Sequence, residues 1–217
     1  IGLDDFGCMW APDVIYDHAQ DDYVLHWSSS HRCDDYRQKA IYYSRTKDFV
    51  TFTPPQLLYK KEDSGVIDSA MAQENGKYYL FVKSEGNPEK LILLQSHSVT
   101  GPFERVSAFD ESMADCESGL YEAPALMQLE DGRWCLFLDY YGVRGRGQGY
   151  VPYVADHLAD GRFVRFGASR ADRLEQAASA FSFPYGFKHG SILRITDEEY
   201  ERIRLHDWQE DQFEKNP

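Results

Sequence analysis

At 217 residues the chain is long enough for one large domain or two small ones, and for a sizeable buried core. Aromatic residues make up 15% of it, which excludes a disordered chain. Asp plus Glu count 36 against 23 Lys plus Arg, and the formal net charge of -13 sets an acidic surface against phosphate backbones, so nucleic acid is excluded as a partner.

No run approaches the ~18 consecutive apolar residues of a membrane helix, so no membrane span is expected. The first residues, Ile1-Gly2-Leu3-Asp4-Asp5, have no basic stretch followed by an apolar run and do not read as a signal peptide. They also lack a starting Met, which predicts a piece processed or excised from a longer chain. Secreted, periplasmic and cytoplasmic placements all stay open.

The first predicted unit begins at Pro12-Asp13-Val14-Ile15-Tyr16-Asp17, turns through polar residues and returns as Asp22-Tyr23-Val24-Leu25-His26-Trp27. Ala40 to Ser44 and Phe49 to Phe52 then predict a second strand pair, joined at Lys47-Asp48. The second unit runs Asp68 to Ala72, the turn at Asn75-Gly76, Tyr78 to Val82, then Leu91 to Gln95 and Phe103 to Val106. The third runs Glu122 to Met127, the turn at Asp131-Gly132, Trp134 to Leu138, then Tyr150 to Val154 and Arg162 to Val164. Asn-Gly and Asp-Gly between apolar runs are strong hairpin signals, because Gly tolerates the positive φ of a tight turn.

A fourth, partial unit is the single predicted strand His189 to Ile195. From Asp197 onward the tail reads as a helix, started by a capping box of Thr196 and Glu199. Ala168 to Ala180 reads as a short helix or a loop. Gly145 to Gly149 reads as a mobile loop without the strand-then-helix setting of a nucleotide-binding loop. The cysteines are Cys8, Cys33, Cys116 and Cys135, at a spacing that fits no metal or redox motif and leaves one disulfide open. Cys135 falls in an apolar strand pattern and reads as a core thiol.

Units of four short strands, opened by carboxylates at positions 13, 68 and 122, point to an all-β fold of the β-propeller type, in which each unit is a blade. A sandwich also has short, evenly spaced strands. It gives no reason for an acidic residue to open successive units. Residues 1–196 then hold about three complete blades and one strand of an incomplete propeller domain, followed by a C-terminal helix and tail over 197–217. A closed ring takes at least about four blades, so the remainder is expected before Ile1.

The first strand of each propeller blade lines the central channel. Asp13, Asp68, Glu122 and His189 are therefore expected to converge at one mouth. Crowded carboxylates disfavour one another's ionisation, which sets a protonated carboxyl beside an ionised one. Such a pair is the usual equipment for hydrolysing a glycosidic bond. Each residue also has a plainer reading, since an acidic residue at a strand start often bonds its own backbone and a His before Gly is often structural. Recurrence in three units favours a shared site.

Four segments carry a resemblance: Met9-Trp10-Ala11-Pro12-Asp13-Val14, Val66-Ile67-Asp68-Ser69, Tyr121-Glu122-Ala123-Pro124 and Lys188-His189-Gly190-Ser191. In order and spacing they resemble glycoside hydrolase family 43, and the resemblance covers nearly the whole chain. It implies a five-bladed β-propeller glycosidase of the arabinofuranosidase or xylosidase type. Such an enzyme removes arabinofuranosyl or xylosyl units from plant polysaccharides or oligosaccharides with inversion, and its partner is a pentose-containing carbohydrate. The resemblance implies Glu122 as the general acid and Asp68 as the aspartate that orients the acid and keeps it protonated. Asp13 would line the substrate site. His189 would be the axial histidine, beside a channel water or a hydrated calcium ion near the propeller axis, and no cofactor is required. Trp10 either offers an aromatic face to a sugar ring or packs inside a blade.

The family's general base is an aspartate of the first blade, and it has no match in this chain. A second reading therefore stays open, a non-catalytic carbohydrate-binding propeller or an inactive fragment lacking the base. A protein-interaction platform and a related five-bladed family acting on fructosides stand further off. The family's usual Gly is replaced by Ala123, a small change if the backbone there is extended. Tyr185 stands where a basic residue is expected.

Overall fold

A computed structural model describes residues 3–87, 89–114, 121–140, 149–166 and 189–206. The expectations for Cys116, for the helix or loop at 168–180, for Tyr185 and for most of the loop at 145–149 lie outside the described residues. The fold is all-β, and the described residues form three antiparallel four-stranded sheets, each a meander from its innermost strand outward. The first sheet holds β1 (Trp10–Asp17), β2 (Asp22–Ser29), β3 (Ala40–Thr46) and β4 (Gln56–Tyr59). The second holds β5 (Val66–Glu74), β6 (Lys77–Ser84), β7 (Lys90–Ser96) and β8 (Glu104–Arg105). The third holds β9 (Tyr121–Gln128), β10 (Trp134–Tyr140), β11 (Gly149–Ala155) and β12 (Val164–Arg165). A short helix, α1 (Ser107–Ser112), follows the second sheet, and α2 (Asp197–Leu205) closes the described chain.

The hairpin signals are borne out. Asn75 and Gly76 both take positive φ, 50° and 76°, between β5 and β6, and Gly132 takes φ 88° between β9 and β10. The expected strand at Phe49 to Phe52 is not formed. The Asp48 carboxylate accepts the N–H of Val50 and of Thr51 at 2.9 and 2.7 Å, which curls this segment into a turn with Phe49 at φ 56°. The fourth strand of the first blade comes instead after Pro54-Pro55, where Gln56, Leu57 and Tyr59 pair with β3.

The stretch His189 to Ile195 also forms no strand. Among the described residues no hairpin partner follows it, because Thr196 starts α2 through the expected capping box, each side chain meeting the other residue's backbone N–H. Side chains hold the stretch instead. The Gly190 N–H donates to Tyr150 Oη at 2.6 Å, and the Tyr150 hydroxyl donates to Gly190 O at 3.0 Å.

The sheets stand side by side, with β5 in contact with both β1 and β9. One apolar cluster joins the first and second sheets through Val24, Ile41, Leu80 and Ile92. Another joins the second and third, where Phe81, Phe109 and Phe163 meet edge to face with centroids 5.5 to 5.7 Å apart. Cys135 is fully buried, as its strand pattern predicts. A repeated clasp ties the first blade to the second and the second to the third. Asp17, at the end of β1, accepts from Tyr78 Oη at 3.4 Å. Glu74, at the end of β5, accepts from Trp134 Nε1 and from the Leu158 N–H, both at 2.8 Å. Among the described residues, no helix is long and apolar enough to cross a membrane.

Candidate functional site

Each innermost strand is broken by a bulge at the same register. Ala11 and Pro12 lie between the pairs Trp10–Ser28 and Asp13–His26. Asp68 and Ser69 lie between Ile67–Lys83 and Ala70–Phe81. Ala123 and Pro124 lie between Glu122–Asp139 and Ala125–Phe137. The first bulged residue of each pair takes positive φ, 48° at Ala11, 54° at Asp68 and 53° at Ala123. Bulges bend a strand and re-aim its side chains, which is why they gather at functional sites.

The three acidic residues are therefore not at equivalent positions. Glu122 stands just before its bulge, Asp68 is the bulged residue, and Asp13 comes just after its own. The sequence alignment on the acids hides this offset; the bulges are what repeat. Ala123 is also not extended. A Cβ at φ 53° is strained, so the replacement of Gly by Ala is a costlier change than an extended backbone would make it.

The offset brings Asp68 and Glu122 toward each other across the boundary between the second and third blades. The Asp68 carboxylate accepts the Ala123 N–H at 3.3 Å, next to Glu122, and lies 3.9 Å from His189 Nδ1. The Asp68 N–H in turn donates to Ser28 Oγ of the first blade at 2.9 Å. Burial raises the Asp68 carboxyl above its ordinary value; His189 opposes this and Glu122 reinforces it. The Asp68 side chain is 9% exposed, whereas Glu122 keeps 30% of its side chain in solvent. Asp13 accepts from Ser191 Oγ at 3.5 Å, which joins the segment after His189 to the first blade. His189 is 39% exposed at its side chain. Trp10 is half exposed, with the Lys39 ammonium 4.9 Å from its ring centroid, so it does not pack inside a blade.

Residues that the sequence reading passed over surround these. Lys83, 3% exposed, places Nζ 3.5 Å from Glu122 Oε2 and 3.0 Å from Glu89 Oε2. His26 is fully buried, with Nδ1 2.7 Å from Ser69 Oγ and Nε2 3.9 Å from Asp13 Oδ2. Burial pushes its imidazole below the ordinary value against the opposing pull of Asp13, so it is neutral at pH 7. Tyr150 fixes Gly190 and with it the approach of His189 to Asp68. One signal could have found two of these: Lys83 and His26 are polar interruptions of apolar strands, on the strand that pairs with a carboxylate-bearing one. Among the described residues, no three His, Cys, Asp or Glu side chains gather closely enough to hold a metal ion, His189 included.

Several solved structures share this architecture. The xylan beta-1,4-xylosidase from Bacillus Halodurans matches with a TM-score of 0.55 and 17% identity, over 73% of this chain and 33% of that one. The alpha-L-arabinofuranosidase PaAbf62A from Podospora anserina, solved in complex with cellotriose, matches with a TM-score of 0.56 and 16% identity, over 74% and 50%. At this identity the likeness is one of fold, that of the propeller enzymes. In sequence, an alpha-L-arabinofuranosidase from Bifidobacterium longum subsp. longum is 34% identical over 94 residues, covering 36% of this chain and 8% of that protein. The chain thus spans about half or less of each of these relatives. Residues 1–201 match a family related to glycoside hydrolase family 43 and described as a probable glycosyl hydrolase domain, and with nearly the whole chain covered, the protein belongs to that family.

Proposed function

We propose that the protein is an inverting glycosidase of the arabinofuranosidase or xylosidase type, acting on pentose-containing polysaccharides or oligosaccharides. The observation that carries this reading is the grouping of Asp68, Glu122 and His189 at the bulged ends of neighbouring blades. There a buried carboxyl bonds the backbone beside a more exposed one. Glu122 donates its proton to the leaving glycosidic oxygen. Asp68, anchored to the Ala123 N–H and raised by burial, holds the backbone that presents Glu122. Asp13 and His189 contact sugar hydroxyls, and the exposed face of Trp10 offers a stacking surface at the rim.

Inversion needs a second carboxylate about 6.5–9.5 Å from the acid, to take a proton from the attacking water. The family resemblance assigns that base to an aspartate of a further blade, so an assay of this chain alone tests whether these 217 residues suffice. The test is hydrolysis of aryl α-L-arabinofuranoside and aryl β-D-xyloside by the chain and by Glu122→Gln, with the anomeric configuration of the product read by NMR. Turnover that is lost in Glu122→Gln and gives inverted product supports the reading. Retained configuration overturns inversion. Sugar binding without turnover favours a carbohydrate-binding propeller instead.

A further inference from the structure

The second strand of each blade carries, opposite the residue before the bulge, a side chain that is buried: Ser28, Lys83 and Asp139. Ser28 and Lys83 reach the next blade. Ser28 Oγ meets the Asp68 N–H, and Lys83 Nζ meets Glu122. Lys83 is thus one blade on from Ser28 in the same structural role, with a full charge in place of a hydroxyl. A buried ammonium is costly unless carboxylates flank it. Lys83 has one on each side, Glu89 at 3.0 Å, with 44% of its side chain exposed, and Glu122 at 3.5 Å.

We propose that Lys83 is a positioning residue for Glu122, holding Oε2 so that Oε1 faces the leaving group and pairing with the carboxylate that remains after proton transfer. This deepens the hydrolase reading and rests on it. In the step, the Glu122 O–H bond breaks and its proton passes to the glycosidic oxygen. The bond from that oxygen to the anomeric carbon breaks, and its electron pair stays on the oxygen. A water adds to the anomeric carbon and loses its proton to a carboxylate base. Glu122 gains a negative charge during this step, and the Lys83 ammonium 3.5 Å from Oε2 is placed to pair with it. Glu89 serves as counter-ion while Glu122 is still neutral, so Lys83 has an ionised partner before and after the step.

The need for an acid depends on the leaving group, and this separates positioning from a merely structural role. The test compares wild type, Lys83→Met and Lys83→Arg on phenyl and 2,4-dinitrophenyl glycosides of arabinofuranose and xylose. The dinitrophenolate departs with little protonation. Lys83→Met is expected to lose roughly 100-fold in kcat on the phenyl substrate and to stay within about threefold on the dinitrophenyl one, with Lys83→Arg restoring most of the loss. Equal losses on both substrates, or none, overturn the proposal. If Lys83→Met does not fold, Lys83→Gln keeps a hydrogen-bond donor without the charge and is read in the same way. A second readout does not depend on turnover. The carboxyl carbon resonance of Glu122, assigned by its disappearance in Glu122→Gln, is expected to move in Lys83→Met at neutral pH. An unmoved resonance overturns the pairing. A wild type without turnover overturns the hydrolase reading alone, and a moved resonance still supports the pairing.

Discussion

The Asp68 carboxylate of the second blade accepts the backbone N–H of Ala123 in the third at 3.3 Å, one residue past Glu122. This bond crosses a blade boundary, so the two acids are placed by the packing of sheets rather than by either strand alone. It costs the fold something, since Asp68 is buried and stands near Glu122.

That cost predicts a pH-dependent effect of Asp68→Asn. Burial raises the Asp68 carboxyl, so the folded state holds its proton more tightly than the unfolded chain does. The stability this contributes is complete below the ordinary Asp value and is lost as pH rises through the raised one. Asn carries no charge, still offers an oxygen to the Ala123 N–H, and tolerates φ 54°. Asp68→Asn is expected to melt above wild type at pH 7, with the gap closing toward pH 4, while hydrolysis falls at least ~10-fold. Melting curves across that range check it, and a variant less stable than wild type at pH 7 contradicts it.

Ala123→Gly is expected to stabilise the protein by about 1 kcal/mol, because it relieves a Cβ at φ 53° and outweighs the added freedom of the unfolded chain. Ala123 is fully buried in the bulge beside Glu122, and a branched side chain adds crowding to the same strain. Ala123→Val is therefore expected to cost about 2 kcal/mol or more. Urea unfolding of the pair measures both, and an Ala123→Gly variant weaker than wild type removes the strain argument.

The blade pattern was legible because its signals are local. Asn75-Gly76 and Asp131-Gly132 mark the turns, and the strands beside them are dense in apolar residues, aromatics among them. The first blade's outer strand was misplaced because one side chain, Asp48, captures the N–H groups that would otherwise extend the segment. The bulges were invisible because they depend on pairing between strands, and without them Asp13, Asp68 and Glu122 seem to sit at matching positions. Lys83 and His26 were missed because a charge or an imidazole in an apolar strand has meaning only once its neighbour in the adjoining strand or blade is known.

The clasp at the far end of β5 predicts a stability effect remote from the site. Glu74 accepts from Trp134 Nε1 and from the N–H of Leu158, and its side chain is 10% exposed. Glu74→Ala leaves both donors without this acceptor and is expected to cost about 2–4 kcal/mol. Glu74→Gln keeps an acceptor and is expected to cost less than half as much. Urea midpoints separate the two, and equal losses would show that the charge rather than the acceptor matters.

The turn that displaces the expected strand makes its own prediction. The backbone N–H groups of Thr51 and Val50 hold the Asp48 carboxyl down to about 2, from an ordinary 3.8. A depressed carboxyl contributes stability that is present above its ordinary value and is lost as pH falls through the lowered one. Asp48→Ala is therefore expected to melt below wild type at pH 7, and the gap is expected to narrow as pH drops below about 4 toward the depressed value. Asp48→Asn keeps the one oxygen that accepts both N–H groups but not its charge, and should fall between the two at pH 7, with little pH dependence of its own. Melting temperatures of the three proteins at pH 7, 4 and 3 check this. A gap between wild type and Asp48→Ala that stays constant across that range would mean that the carboxylate charge does not hold the turn.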